Sequence, residues 1–457
     1  MRNVCTLSLL LVFAIPAAAQ QARQLPQPDE RYKADVLLVV AHPDDEGAAT
    51  PYLARAIDEG KRVAVVYTTR GSSGANEVGS EQAGALGEIR EIEARRANAF
   101  LGITNVWFLH GKDTASQDVL QSLANWGHGE SLQELVRLVR LTRPEVILTF
   151  LPGTFVGEDH GDHQAAGVLA TEAFDLAGDP TAFPEQVAGP TRRLEVFLEN
   201  LRPWQAKKIY YFADADREDI FRGLGPEYPV KDISKSSRHA YWRMALDSFR
   251  LHKTQAKSFI DSIANMSDAQ LEKLATSNWG DVQHFVRGRS LVGGSLTGDI
   301  FDGITPDAVA FAPPARAPRS EPPTLFAELG GPWTFYDDFR RAHDLQTLPH
   351  PEPPEIALEY GTTLVVPIWL HNPLAAPQKI TLSVVLPTGW TAQSGAETLR
   401  VGPKQVASAR MEIALPAAPG DGKKKELQEV TINAESEGKS IGVIRIRVEL
   451  RKRALPE

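Results

Sequence analysis

The stretch from Val36 to Glu46, VLLVVAHPDDE, constrains the fold most tightly. A run of apolar, mainly β-branched residues stops at a histidine, a proline and three acids. The run is too short to cross a membrane and reads as a buried central strand. In open α/β sheets the loops beyond the carboxyl ends of the strands build the ligand site. His42, Asp44, Asp45 and Glu46 fall on such a loop. Buried charges are costly unless paired or bound to a metal, and an imidazole with carboxylates is a usual zinc donor set. The alternative is a helix start, where acids are favoured by the dipole. This stretch alone leaves both readings open.

The following residues repeat a strand–helix alternation. Thr50 and Pro51 read as N-cap and first helical residue, Leu53, Ala56 and Ile57 share one helical face, and Gly60 ends that helix. A strand over Val63–Tyr67 leads into a Gly- and Ser-rich loop, either a pocket wall or an ordinary surface loop. The helix GALGEIREIEARRANAFLG spaces Glu91 and Arg95 for an ion pair. Composition gives its Glu88, Arg90 and Glu93 the reading of solvated charges. A strand at Val106–Leu109 follows, with His110 and Asp113 beyond it. The Gly-rich stretch around Trp126 and His128 carries no clear pattern. Ser131 and Glu134 form a capping box for the next helix, and Val146–Phe150 is another buried strand. Such alternation predicts a Rossmann-like, doubly wound and mostly parallel sheet.

Past this last strand comes a second polar cluster: Glu158, Asp159, His160, Gly161, Asp162 and His163. Two such clusters at matching strand ends would face one crevice. No G-x-S-x-G nucleophile elbow and no phosphate-cradling P-loop occurs, which weakens a serine hydrolase or a nucleotide-phosphate site.

AHPDDE, then GEIREIEARRA, then H-x-D-H before an Ala/Gly-rich helix, resembles the zinc-dependent N-deacetylases of the PIG-L (LmbE-like) family. The resemblance covers Asp35 to Phe174 in motif order and spacing, and continues weakly through KKIYYF and LHKTQ. It departs at Gly161, where the family usually has proline. It implies that His42, Asp45 and His163 bind Zn²⁺, with an open position for water. It also implies that Asp44 is the general base and that His160 assists at the oxyanion. Asp162 would orient a histidine, and Arg90 would hold substrate or brace the loops. The implied reaction is removal of an N-acetyl group from an amino sugar or glycoconjugate by a water activated at the metal. His110, His128, His239 and His252 receive no role, because a lone histidine is more often structural than a ligand.

Composition and the chain ends complete the reading. The 457 residues allow two or three domains, and a net charge of −9 argues against non-specific nucleic-acid binding. Arg2, the apolar LSLLLVFAIP and the small residues Ala17–Ala19 read as a secretory signal peptide over 1–19. Its removal would leave a secreted or periplasmic chain without cysteine, since the single cysteine is Cys5, and without a transmembrane segment. The deacetylase-like domain is expected over 35–304, with residues 188–303 supplying core and the far wall of the pocket. A Pro-rich connector is expected over 305–354. Short alternating runs from LVVPIWL to IGVIRIRVEL then predict an all-β immunoglobulin-like sandwich over 355–453. The prolines suggest separable units, and Trp369 and Trp390 are expected in the core rather than on a sugar. The competing function is a catalytically spent glycan-binding or scaffold protein working through the sandwich; the full set of expected ligands and base favours the enzyme.

Overall fold

The computed structural model describes residues 28–158, 160–188, 200–215, 217–393, 397–418 and 427–452. The expected signal peptide, Asp159 and the last residue of the expected sandwich lie outside them. The first sheet has the spatial order β3-β2-β1-β4-β5-β8. Its strands are β1 (Val36–Val40), β2 (Val63–Thr69), β3 (Asn105–Gly111), β4 (Val146–Phe150), β5 (Lys208–Phe212) and β8 (Val286–Ser290). A small ribbon of β6 (Glu227–Pro229) and β7 (Val282–His284) stands apart. All neighbours in the first sheet pair in parallel except β5 and β8. Every residue of β1, β2, β4 and β5 is buried, as central parallel strands with helices on both faces require.

The winding direction reverses between β1 and β4. A crevice therefore opens at their carboxyl ends, where His42 and the loop leading to His163 leave the sheet. The flanking helices are α1 (Thr50–Asp58), α2 (Ala83–Phe100), α3 (Val119–Asn125), α4 (His128–Thr142) and α5 (Gly161–Leu176). Small residues let α5 sit directly on the sheet: a Cβ on Gly167 would collide with the Phe150 carbonyl.

Several element ends differ from the sequence reading. Thr50 is already inside α1, with Ala49 as cap, and its hydroxyl donates to the Glu46 carbonyl at 2.7 Å. β3 runs on to Gly111, so His110 is an exposed strand residue paired with Glu134 at 2.8 Å. α4 starts at His128 rather than after Ser131, whose hydroxyl instead donates to the Trp126 carbonyl at 2.7 Å. The left-handed Gly127 (φ 60°) makes the earlier start possible. Glu91 and Arg95 do pair, at 2.8 Å.

After β5 come α6 (Glu218–Phe221), α7 (Tyr241–Phe249), α8 (Lys253–Ile263) and α9 (Asp268–Trp279). Trp242, Leu246, Ile263 and Leu271 form a satellite apolar cluster there, while Tyr241 joins the main core.

The C-terminal region is β-rich. It comprises β9 (Phe326–Leu329), β10 (Glu355–Glu359), β11 (Thr363–Asn372), β12 (Gln378–Val385), β13 (Thr391–Ala392), β14 (Glu397–Val401), β15 (Gln405–Ala414), β16 (Leu427–Ser436) and β17 (Lys439–Arg451). Two sheets form, in the orders β10-β17-β16-β12-β14 and β13-β15-β11-β9. One apolar cluster joins Val366, Ile368 and Met411 of the second sheet to Ile380, Ile432 and Ile446 of the first. Trp390 is buried in that cluster and Trp369 is half-buried.

The expected connector over 305–354 carries secondary structure. β9 pairs with β11, and α10 (Pro332–Ala342) follows at once. Tyr336, Phe339, Leu345 and Leu348 belong to the core of the first sheet. The prolines obscured an amphipathic segment, PWTFYDDFRRA, that puts Tyr336 and Phe339 on one helical face. Pro332 sits in the first turn, where its missing N–H costs nothing.

Candidate metal centre

The chain turns sharply where β1 ends. Asp44 adopts φ 122° and ψ −23°, a strained backbone for a residue with a side chain. Its N–H donates to Glu46 Oε2 at 3.0 Å, and Glu46 Oε1 lies 2.5 Å from His252 Nε2. His252, which sequence left without a role, thus anchors the loop from the start of α8. Arg90 of α2 is buried and donates to the carbonyls of Gly71 and Pro43 at 2.7 Å each and to Asp44 Oδ1 at 3.1 Å. It braces two loops and faces the carboxylate of Asp44. Gly71 is needed for this approach, since a Cβ there would strike the guanidinium. Glu93, also buried, receives the Thr254 N–H at 3.0 Å and so holds the start of α8; Glu88 is exposed as expected.

The two polar clusters meet in the crevice. Asp45 spans two histidines: Oδ2 lies 3.2 Å from His42 Nδ1 and Oδ1 lies 3.3 Å from His163 Nε2. Ligand atoms of His42, Asp45 and His163 all lie within 4.8 Å of one another. The far nitrogens of both rings are held by further carboxylates. His42 Nε2 lies 3.2 Å from Asp113 Oδ1 and 3.3 Å from Asp162 Oδ2; His163 Nδ1 lies 2.7 Å from Glu158 Oε1 and 3.4 Å from Asp214 Oδ2. Outer carboxylates of this kind fix ring orientation in metal sites. The His163 ring also stacks on Phe150, with centroids 4.2 Å apart.

His160 caps α5. Its Nδ1 accepts the Asp162 N–H at 3.3 Å, so the neutral ring carries its proton on Nε2. Burial and the neighbouring His42 and His163 push its pKa down to about 4. Gly161 donates its N–H to the Ser116 carbonyl at 2.7 Å, and Thr114 donates its own to Asp162 Oδ2 at 2.8 Å. A proline at 161 would lose the first of these bonds, and any Cβ there would crowd the Ser116 and Asp118 carbonyls at 2.9–3.0 Å, which accounts physically for glycine at this position. The loop over 112–118 is in this way tied to the start of α5.

The electrostatics fit a cation. Burial works against charge on His42 and His163, yet the surrounding carboxylates outweigh it and hold both well above the usual histidine range. Burial likewise opposes ionisation of Asp45, but His163 and His42 hold it well below the usual range. Asp44 moves the other way: burial raises it, Asp45 adds to this, and Arg90, His252 and His42 only partly oppose. Asp162 is fully buried with Oδ1 unpartnered. Two imidazoles and a carboxylate converging among further carboxylates are a donor set that fits a catalytic zinc ion.

Sequence reasoning brought His42, Asp44, Asp45, His160, Asp162, His163 and Arg90 to one site, and the fold gathers all seven. It missed Asp113, Glu158, Asp214, Glu46 and His252. Asp113 lay one strand away, Glu158 and Glu46 sat unassigned beside the motifs, His252 lay in the weakly matching LHKTQ without a role, and nothing local marks Asp214.

Fold and site together define an α/β protein with a His/Asp cluster able to hold a metal ion at the switch point of a doubly wound sheet. The family described as PIG-L, GlcNAc-PI de-N-acetylase, matches residues 37–174. A 1D-myo-inositol 2-acetamido-2-deoxy-alpha-D-glucopyranoside deacetylase from Thermobifida fusca is 31% identical over 244 residues, 48% of this chain and 82% of that protein. The protein of the same description from Streptomyces scabiei is 30% identical over 310 residues, 61% of this chain and 92% of that one. The chain belongs to the PIG-L family. Among solved structures, N,N'-diacetylchitobiose deacetylase from Pyrococcus horikoshii superposes with a TM-score of 0.40 at 21% identity, covering 56% of this chain and 84% of that one.

Proposed function

We propose that this protein is a secreted, zinc-dependent N-deacetylase that cleaves the acetamide of an N-acetylated amino sugar or glycoconjugate. The carrying observation is Asp45 bridging His42 and His163 while the neighbouring Asp44 turns to Arg90. A zinc ion held by His42, Asp45 and His163 would supply Lewis acidity toward the attacking water and the acetamide carbonyl. Asp44 takes the proton of that water as the C–O bond forms. Its raised pKa makes it a stronger base than an ordinary carboxylate, and the Arg90 contact orients it. Neutral His160 donates from Nε2 to the developing oxyanion. Asp44 then returns its proton to the amine nitrogen as the C–N bond breaks, and acetate and amine leave. Asp162 and Asp113 orient His42, and Glu158 orients His163.

The two adjacent acids separate this mechanism from others. Asp44→Asn is expected to retain zinc while kcat falls by about two orders of magnitude, the scale of a lost general base. Asp45→Asn is expected to lose zinc. Metal content and single-turnover acetate release from a panel of N-acetyl sugars measure both. Loss of metal from Asp44→Asn, or turnover at the parent rate, would overturn the assignment.

Secretion rests on the basic, apolar and small-residue order of 1–19, and among the described residues no helix is long and apolar enough to cross a membrane. N-terminal sequencing of exported protein should begin near Gln20. The β-rich C-terminal region is read as an immunoglobulin-like accessory sandwich, on its two sheets about one core.

A further inference from the structure

A cleft of about 630 Å³ lies where the first sheet's domain meets the C-terminal strands. Leu151–Phe155 form one side and Val443–Arg445 of β17 another; Trp333, Tyr336 and Arg340 of α10 and the Pro349–Pro354 run complete it. Its volume is within the ~300–1,000 Å³ common for small-molecule sites.

Buried polar contacts hold the walls together. Glu355, 2% exposed at the start of β10, accepts from Val156 N at 3.3 Å and from Arg217 Nη1 at 3.2 Å, and meets Arg447 Nη2 at 2.8 Å. Gln117 Nε2 donates to the Ala357 carbonyl at 2.7 Å, and His343 Nδ1 lies 2.6 Å from Asp175 Oδ2. The cleft is a formed site rather than a gap between loosely tethered parts.

A short loop links the cleft to the residues around the candidate metal site. The loop that lines it at Leu151–Phe155 continues into Glu158 and His160, with Glu158 N donating to the Phe155 carbonyl at 3.2 Å. The Tyr336 hydroxyl donates to Gln164 Oε1, next in sequence to His163.

The lining specifies a ligand class. Trp333 and prolines offer flat apolar surfaces, while Asp337 with Arg340 and His350 with Glu352 present paired polar groups at the edges. Such surfaces stack the C–H face of a sugar ring as planar polar groups bond its hydroxyls. Acids and bases both contribute, so the cleft matches a neutral polyhydroxylated chain better than a phosphate or a polyanion. We propose that it is a saccharide subsite for the part of an extended glycan lying beyond the sugar that is deacetylated. This rests on the deacetylase reading above and adds that the substrate has several sugar units.

The test uses the full-length zinc-loaded protein and N-acetylated β-1,4-linked oligosaccharides of one to six units. In the parent, kcat/KM is expected to rise at least about tenfold with chain length, the scale of one or two ring stacks. Trp333→Ala and the exposed Arg445→Ala should each lose most of that rise without loss of zinc. In parallel, calorimetry measures hexasaccharide binding to Asp44→Asn, where turnover is blocked; adding either substitution should weaken it. Acetate release independent of chain length would overturn the subsite and leave the deacetylase standing. Absence of acetate from every saccharide would overturn the deacetylase reading, while the binding arm still reports on the cleft. Hexasaccharide affinity unchanged by both substitutions would overturn the subsite in either case.

Discussion

Asp44 shows how much of this site depends on single backbone positions. Its left-handed φ is held by hydrogen bonds from its own N–H to Glu46 and from Arg90 to its carboxylate and to the Pro43 carbonyl. Strain of this kind persists only where the surroundings over-determine it. His252 belongs to that surrounding. Burial opposes its charge, but Glu46 outweighs burial and raises its pKa. A histidine raised in the fold contributes stability that is fully present below about pH 6.5, its unperturbed value, and is lost as pH rises through the folded value. His252→Gln keeps a donor without the charge. The difference in Tm between parent and variant is therefore expected to be largest in mild acid and to shrink above about pH 6.5, as calorimetry across pH would read; a difference that grew with pH would oppose this account. At Gly161 the lost N–H bond to Ser116, together with crowding of a Cβ against the Ser116 and Asp118 backbone, predicts that Gly161→Pro costs about 1–3 kcal/mol, measurable by denaturant unfolding. A neutral result would mean that water replaces the bond.

Among elements, β10 has the widest reach. Its Glu355 grips the segment leading to Glu158 and, through Arg217, the stretch after Asp214; Ala357 holds Gln117 in the loop bearing Asp113. One edge strand of the C-terminal region thereby steadies the segments that orient His42 and His163. Glu355→Ala removes the acceptor of Val156 N and one partner each of Arg217, which keeps Asp219, and Arg447, which keeps the Pro353 carbonyl; it is expected to cost about 2 kcal/mol. It should also weaken zinc affinity severalfold in a chelator competition; unaltered affinity would limit Glu355 to a packing role. Sequence patterning found the central strands well, because strands buried on both faces must be continuously apolar. It placed the start of α4 a few residues late, because a left-handed glycine allowed an earlier start, and it missed α10, where clustered prolines hid a helix whose stability comes from the surfaces it covers.

For the whole molecule, the prolines suggested that a chain cut at Pro349 would stand alone. The fold predicts a different result. Such a cut removes β11, the partner of β9, and removes β10 with Glu355, while leaving α10 packed on the first core. The truncated protein is expected to unfold at lower temperature and bind zinc more weakly than the full chain, as thermal unfolding with and without added zinc would measure. Equal Tm and zinc affinity would restore the separable-unit reading.

By itself the sequence determined the doubly wound sheet and the two polar clusters at its strand ends. Hydrophobic runs of strand length encode burial directly, and His and Asp residues beyond them leave few chemical options. The adjacency of AHPDDE and H-x-D-H was legible because strand order in such sheets follows general rules of winding. Tertiary structure alone decided which groups stand behind the histidines. Asp113, Asp214 and His252 come from separate segments whose local sequence does not say what they face, and only chain packing brings them within hydrogen-bonding distance. The same holds for the contact between β10 and the site loops. It depends on two surfaces folding against each other, and periodicity within either segment carries no record of the partner.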